Sequence, residues 1–492
     1  MSESLKEKTV KGTIWTGIER FWVQGVQFLV MLVVARILSP KDYGLIGMLA
    51  IFIHVSQSLV DSGFSQALIR KKNRTEIDHN TIFYFNIVMS LFFYVLLYSI
   101  APLVASFYKQ PVLCSVMRIF CLVVIIESFN IVQRSLYTIH LDFKKLARAS
   151  MSSAIISGIA AIYMAKKGFG VWTLVYQQII FGIVSTIVLW YYSSWRPKWI
   201  YSWKSFKEMF SFGFNLLISG LLDTIYKNLY TIVTGKVFNA TSLGYYSRAD
   251  HYAQLPASNF NSIFLRVTYP VLCKMQDDDV KLRENYRKLL RVSAFIIFPV
   301  MCGLAGAAYP SVVMVIGKKW SYAAVLLVPI CLAKMWYPIH AINLNLLKVK
   351  GRSDLFLRLE IIKKILGTCI IFLSIPFGLF FMCYIQIVSS LIALSINTYY
   401  TGKLIHLGFW KQMKDISHIL LTSLSMFAII KVMNMGIDNI YLQFVLDIIV
   451  GVVFYCGVAF LFHFKEIDDI KSLRKEKQMA KQDIPSMTED MF

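Results

Sequence analysis

Thr13, Gly17, Arg20, Gln24 and Gln27 recur at steps of four and three residues, the spacing that places side chains on one face of a helix. A guanidinium offers a planar fork of donors matched to phosphate or carboxylate oxygens. Carboxamides both give and accept hydrogen bonds, as a hydroxyl-rich ligand requires. Three further stretches repeat the idea: His54, Ser58, Asp61 and Ser65; Asn215, Ser219, Asp223 and Lys227; Asp250, Gln254, Ser258 and Asn261. This is chemistry for holding a charged, polar solute. Bond-making signatures are missing from the sequence, which contains no GxxxxGK[ST] phosphate loop, no HExxH and no GxSxG. The acidic run at 277–279 reads as a solvated turn in a short basic loop.

These faces sit in a chain built for lipid. Of its 492 residues 57% are hydrophobic and only 16% charged, against about a quarter charged in soluble domains. Apolar runs of about 20 residues, enough to cross a hydrocarbon core of about 30 Å, recur along the whole length. The formal charge of +23 would suggest nucleic acid in a soluble protein, but no RNP-type or helix-turn-helix pattern accompanies it. Basic loops on one side of a membrane account for it instead. The eight cysteines contain no CxxC pair and fall mostly in apolar runs, as with Cys121, Cys369 and Cys456; buried free thiols are expected, without a metal site. No small-residue cleavage site follows the first apolar run, which reads as a retained helix.

The expected fold is an all-α polytopic membrane protein of about 14 spans, at 12–35, 43–67, 81–104, 111–137, 147–165, 171–193, 208–234, 243–272, 289–312, 322–347, 355–375, 379–401, 415–434 and 440–463. The least marked division is "IPFG" at 375–378. With both termini inside, 35 of the 51 lysines and arginines fall on the cytoplasmic side and eight on the outer side, a strong orienting bias. The tail 465–492 reads as a short cytosolic helix with a frayed end.

An offset of 200 residues aligns "ARILSPKDYGLIGM" (35–48) with "GKVFNATSLGYYSR" (235–248), matching Ser39 to Asn239 and Gly44 to Gly244. Two pseudo-symmetric six-helix lobes follow, 1–200 and 201–402, with two additional helices in 403–464. Parallel repeats of this kind commonly enclose a central substrate site. The polar faces should line one hydrated interior, because a centrally placed Arg or Lys costs about 2.5–3.5 kcal/mol in lipid unless paired or hydrated. Arg20, Gln24, Gln27, Arg118, Lys227 and Lys334 are its candidate cationic and amide ligands, suited to a phosphate or diphosphate. Asp61, Glu127, Asp223 and Asp250 are the intramembrane acids. Blander readings stand beside these. Asp223 and Lys227 fit a structural i,i+4 ion pair, Arg134, Arg266 and Lys431 fit snorkelling, and His251, His340 and Asp447 fit packing.

"ARILSPKDYGLIGM", "SQSLVDSGFSQALIRK", "QRSLYTIHLDFKKLARA" (133–149), "GFGVWTLVYQQ" (168–178) and "LGYYSRADHYAQLP" (243–256) resemble the polysaccharide transporter branch of the multidrug/oligosaccharidyl-lipid/polysaccharide exporter superfamily. This branch comprises the Wzx-type O-antigen and capsule flippases, and the subgroup resembled exports colanic-acid-like or teichuronic-acid-like repeat units. The resemblance covers about half of the chain. It implies two six-helix lobes and two extra helices grooved for a lipid tail. The implied substrate is an undecaprenyl-diphosphate-linked oligosaccharide, moved from the inner to the outer leaflet of the bacterial cytoplasmic membrane. It implies that Arg20 meets the diphosphate and that transport is coupled to a proton or sodium gradient; on the residue reading Lys227 and Lys334 would join Arg20, and Asp61, Glu127, Asp223 and Asp250 are the candidate coupling or ion-pair acids. For such a substrate Tyr226, Tyr230, Tyr246 and Trp336 are candidates for stacking on sugar rings, and the short loops around Asp42–Gly44 and Ser242–Gly244 are candidate hinges of an outer gate. No cofactor or metal is implied. Partners would be membrane lipid and the polymerase and chain-length regulator of the pathway, with no nucleic acid. Alternatives are a cation-coupled drug or metabolite antiporter, an integral-membrane polymerase or glycosyltransferase, and a scaffold for polymer assembly.

Overall fold

Every long apolar run becomes helix, the spanning structure that satisfies each backbone N–H and C=O within one segment. The structure, a computed structural model, describes residues 5–71 and 73–469, and no strand occurs among them. Eleven stretches of the described residues are long and apolar enough to cross a membrane. One of these, Asp354–Ile405, is two helices, Ser353–Ser374 and Gly378–Ile405, parted by a 3-10 turn at Ile375–Phe377. Trp203–Val233 and Ala240–Cys273, 31 and 34 residues long, also have the length to span and carry two of the polar faces. The expected fourteen are approached in this way. Most of the tail expected at 465–492 lies outside the described residues; its first part, 465–469, is helical.

Four expected spans are interrupted. Residues 43–67 fall in Pro40–Asp61 and Phe64–Arg70, parted at Ser62 and Gly63. Residues 111–137 form Val112–Phe120, Leu122–Ser128 and Ile131–Ile139. The span at 322–347 breaks between Ser321–Lys334 and Tyr337–Val349, where Pro338 opens the second helix. Asp279–Gly306 gives way to Ala308–Ile316.

The chain divides into two compact units, 1–247 and 248–492. In the first, Phe143–Lys166 packs against Leu5–Ile37 and Val171–Tyr192. Its buried face is small residues (Ala147, Ala154, Ser157, Gly158, Ala161, Ala165), which let backbones approach closely where hydrophobic driving force is weak. Helix Trp203–Val233, placed by the repeat at the start of the second lobe, packs on Pro40–Asp61, Phe64–Arg70 and Glu76–Tyr108. An aromatic core of Phe64, Phe83, Trp190, Trp195, Phe206 and Phe210 surrounds its beginning.

In the second unit Asp279–Gly306 packs on Phe409–Asn434, and Ser321–Lys334 on Gly378–Ile405. A fully buried network joins Tyr337–Val349 to Phe409–Asn434 and Gly378–Ile405: Asn343 and Gln412 exchange amide hydrogen bonds of 3.0 Å each way, and Thr401 donates to Asn343 Oδ1 at 2.8 Å. A buried acceptor left without its donor costs about 1–3 kcal/mol. Gln412→Leu is therefore expected to destabilise the protein by about that amount, seen as a lower unfolding temperature in detergent. The acidic run is a cap: Asp278 accepts from the N–H of Val280 and Lys281 at 3.2 and 3.0 Å and starts Asp279–Gly306. All eight cysteines are free, and Cys369 and Cys456 lie on exposed helix surfaces, where burial had been expected.

Candidate functional site: a polar cavity pinned at both ends

Pro40–Asp61 is pinned at both ends, its start against the start of Ala240–Cys273 and its far end, at Ser62 and Gly63, against Trp203–Val233. Ser39 caps the first helix, its hydroxyl accepting from the Asp42 N–H, and Asn239 accepts from the Ser242 N–H at 2.7 Å. These repeat-equivalent caps bring two glycines against backbone. A Cβ on Gly44 would lie 1.6 Å from the Ala240 carbonyl oxygen, and one on Gly244 would lie 1.8 Å from that of Pro40. Positions 40, 44, 240 and 244 are thus paired reciprocally, as an approximate two-fold relation between the repeats requires.

The opposite end is pinned in a similar way. A Cβ on Gly213 would lie 2.3 Å from the Ser62 carbonyl oxygen, and Gly63, at φ +73°, meets the Gly213 backbone in return. Beside this contact Lys71 bridges Asp78 at 3.0 Å and Glu208 at 3.1 Å, and the Ser205 hydroxyl donates to Asp78. The backbone N–H of Lys198 and of Ser202 donate to Asn80 and Thr81 at 2.6 and 3.1 Å. Partial burial pulls the Lys71 ammonium down, but the two carboxylates outweigh it and hold its pKa above the ordinary lysine value. A raised folded-state value means that this clamp contributes fully below the unfolded pKa and fades only as pH climbs through the folded one.

Between the pinned ends lies a cavity of about 620 Å³ lined by His54, Gln57, Ser58, Asp61, Thr224, Lys227 and Asn228. His54 and Asn228 line it from the two helices, and Asn228 donates to the Thr224 carbonyl at 2.8 Å. Lys227 pairs with Asp223 at 2.6 Å, the i,i+4 pair of the blander reading, yet the ammonium stays well exposed and lines the cavity. A second cavity of about 380 Å³ shares Gln57 and Asp61 and adds Ser65, Glu127, Ser128, Arg134 and Phe181. There Arg134 meets Glu127 at 3.1 Å, pairing across the helix break at 129–130 in place of the snorkelling expected of it. Asp61 accepts from the Ser65 N–H at 3.2 Å and from its hydroxyl, so it also caps Phe64–Arg70. A third, of about 50 Å³, joins Gln27 to Ser157, Gln177, Gln178 and Phe181. The linings offer many hydroxyl and amide partners, two acids and two bases. That suits a polyhydroxylated, anionic head group better than an apolar one.

Other expected residues lie elsewhere. Arg20 is exposed on its helix and Gln24 half-buried. The Arg118 guanidinium sits over the Tyr98 ring, 4.4 Å from its centroid, outside the cavities described. Tyr230 stacks on Tyr246 at 6.2 Å, and Tyr246 is buried; Tyr226 is half-buried. Trp336 is 3% exposed and edge-on to Phe298 at 5.1 Å, so it presents no face to a sugar in this conformation. The break that frees Lys334 at a helix end also turns Trp336 into the core. In the second unit Lys334 meets Asp250 at 2.9 Å and Gln254 at 2.6 Å. His340 bonds Ser390 at 3.0 Å, as packing predicts. Asp447 is buried and accepts from Asn434 at 3.1 Å. Sequence reasoning missed Gln57, Thr224 and Asn228. Gln57 stands one turn from His54 and from Asp61, a spacing that would have found it.

The family model described as polysaccharide biosynthesis protein matches residues 33–325, more than half of the chain. The chain belongs to that family. Among its relatives is the lipopolysaccharide biosynthesis protein WzxC of Escherichia coli, 26% identical over 74% of each chain. The teichuronic acid biosynthesis protein TuaB of Bacillus subtilis is 25% identical over 72% of this chain and 73% of its own. The succinoglycan biosynthesis transport protein ExoT of Rhizobium meliloti is 24% identical over 66% of each. Among solved structures, the lipid II flippase MurJ in an inward closed conformation superposes with a TM-score of 0.73 at 16% identity, covering 93% of this chain and all of that one. An inward-facing multidrug transporter of the MOP superfamily gives 0.59 over 81% of this chain and 96% of its own. The family member described here therefore has the MurJ-like fold of a multi-pass membrane protein.

Proposed function

We propose that the chain is a flippase that moves undecaprenyl-diphosphate-linked oligosaccharide repeat units from the inner to the outer leaflet of the bacterial cytoplasmic membrane, for O-antigen, capsule or exopolysaccharide assembly. The observation that carries this reading is the polar cavity lined by Pro40–Asp61 and Trp203–Val233, with close glycine–backbone contacts at either end of Pro40–Asp61. A head group rich in hydroxyls and carrying a diphosphate enters between the two helices, with Lys227 beside its charge and His54, Ser58, Thr224 and Asn228 on its hydroxyls. The polyprenyl chain stays in lipid. Opening the contacts at one end at a time gives alternating access, with both termini cytoplasmic and the Lys71 clamp on the cytoplasmic side.

The roles of the relatives in polysaccharide biosynthesis and transport support this reading. Coupling to a proton or sodium gradient belongs to the same proposal, with Asp61 and Glu127 in the side cavity as its acids. The polymerase and chain-length regulator of the pathway are the proposed partners. In a host strain, deletion is expected to strand lipid-linked oligosaccharide on the inner leaflet and to remove surface polysaccharide, and the wild-type gene to restore it. Surface polysaccharide made normally without the gene would overturn the reading.

A further inference from the structure

The connection between Val171–Tyr192 and Trp203–Val233 is fastened along its length. The Arg196 guanidinium donates to the carbonyls of Trp190, Ser193 and Trp195 at 3.1, 2.6 and 3.0 Å, satisfying the end of the first helix. The Lys198 ammonium pairs with Glu76 at 2.6 Å, beside the backbone bonds that Lys198 and Ser202 give to Asn80 and Thr81. Trp195 turns inward, half-buried, and its ring meets those of Phe83 and Trp190 at 5.5 and 6.4 Å. The other aromatic residues turn outward. Trp199 is 93% and Trp203 68% exposed, and Tyr191 and Tyr201 are exposed as well. Neither tryptophan swings free, for Trp199 stacks on Tyr84 at 5.1 Å and Trp203 on Phe206 at 4.9 Å. Tyr84 lies two turns inside Glu76–Tyr108 and Phe206 one turn inside Trp203–Val233, so the exposed rings lie against the helices rather than beyond their ends. Lys204 and Lys207 are exposed too, and Lys207 stands one turn from both Lys204 and Trp203 on the same helical face. Glu208, the one acid in the sequence from 191 to 208, is turned to Lys71.

We propose that residues 191–207 form a binding surface for the head groups of anionic phospholipids, with Trp199 and Trp203 at the acyl boundary and Lys204 and Lys207 on the phosphate. Rings with one apolar body and one polar edge settle where hydrocarbon meets head groups. A base at that level favours anionic lipid by about fivefold, whereas a zwitterionic head group brings its own cation and gives the base no net advantage. Arg196 is spent on backbone carbonyls and Lys198 on Glu76, so these two shape the surface and the two helix lysines bind. A multi-pass fold places such a face against lipid whatever the chain transports, so the surface stands apart from the flippase reading. It also has a mechanical consequence. The connection is bonded to the start of Glu76–Tyr108 and runs into Trp203–Val233, the helices that supply Asp78 and Glu208 to the Lys71 clamp. A lipid that binds the fastened connection stabilises this pinned end by mass action.

The test uses the full chain in nanodiscs of equal parts phosphatidylglycerol and phosphatidylcholine, with one or the other lipid brominated high on its acyl chains to quench nearby tryptophans. Wild-type fluorescence is expected to be quenched several-fold more by brominated phosphatidylglycerol than by brominated phosphatidylcholine. Replacing both lysines, Lys204→Gln with Lys207→Gln, is expected to remove most of that preference while quenching by either lipid persists. Replacing both rings, Trp199→Phe with Trp203→Phe, is expected to remove most of the lipid-selective quenching itself. The second readout is the unfolding temperature, which should rise when phosphatidylglycerol replaces phosphatidylcholine in wild type and rise much less in the lysine variant; it serves also where the ring variant fails to fold. Equal quenching by the two lipids in wild type would overturn the proposal. A preference for phosphatidylglycerol that survives loss of both lysines would overturn it as well, by placing the anionic lipid elsewhere. Each of these results leaves the flippase reading as it stands, since that reading is tested by transport between leaflets.

Discussion

Gly244→Leu is expected to reduce transport at least tenfold and to open the 39–44 end of the first unit. At this position even a Cβ would lie 1.8 Å from the Pro40 carbonyl oxygen, well inside van der Waals contact, so the helix starts cannot meet. Overpacking typically costs about 1–3 kcal/mol, and each 1.4 kcal/mol is about tenfold in an equilibrium. A contact that closes only in one state passes that whole cost to the equilibrium between closed and open. The readout is a cysteine placed at His54, inside the cavity, labelled by a membrane-impermeant thiol reagent against a background stripped of the eight native cysteines. Its labelling should accelerate about tenfold or more in Gly244→Leu, and equally in Gly44→Leu, because the contact is reciprocal. Unchanged labelling in both variants would mean that these glycines do not form the seal.

Asp78→Ala is expected to be the most destabilising single change at the opposite end. The Asp78 side chain is 3% exposed and receives the Lys71 ammonium at 3.0 Å, the Ser205 hydroxyl and the Thr75 N–H at 2.9 Å. Its loss uncaps Glu76–Tyr108 and leaves Lys71 with the more exposed Glu208. Removing one partner from a buried pair costs about 3–5 kcal/mol. The unfolding temperature in detergent should drop steeply, whereas Glu208→Ala, at a carboxylate 60% exposed, should shift it little, as surface pairs contribute at most about 1 kcal/mol. Equal shifts for the two would contradict this ranking.

Much of this was legible in the sequence because the bilayer imposes period and length. Apolar runs gave the spans, and the 200-residue offset paired Gly44 with Gly244 before any contact was known. The helical steps 54–58–61 and 223–227 found much of the first cavity, since one face of a helix is fixed by spacing alone. The interruptions were not legible. Nothing in apolarity separates Glu127 from Arg134 across a break, or tells that the turn after Lys334 carries Trp336 into the core, because tertiary packing decides where a long apolar run bends. Arg118 was misleading for a related reason: a lone cation in a span is satisfied equally by a ligand or by the face of an aromatic ring such as Tyr98, and composition does not distinguish them. Asp61 combines a helix-capping role with a place in two cavities, and only coordinates show both.

The central claim is that the cavity between Pro40–Asp61 and Trp203–Val233 holds the head group of a lipid-linked oligosaccharide during its passage between leaflets. Leaflet-resolved transport of undecaprenyl-diphosphate-linked oligosaccharide in proteoliposomes tests it most directly, comparing wild type with Lys227→Ala and with Asn228→Leu. Wild type should move the lipid from one leaflet to the other, and both variants should do so at least tenfold more slowly while remaining folded. Equal rates in all three, or no movement by wild type, would contradict it.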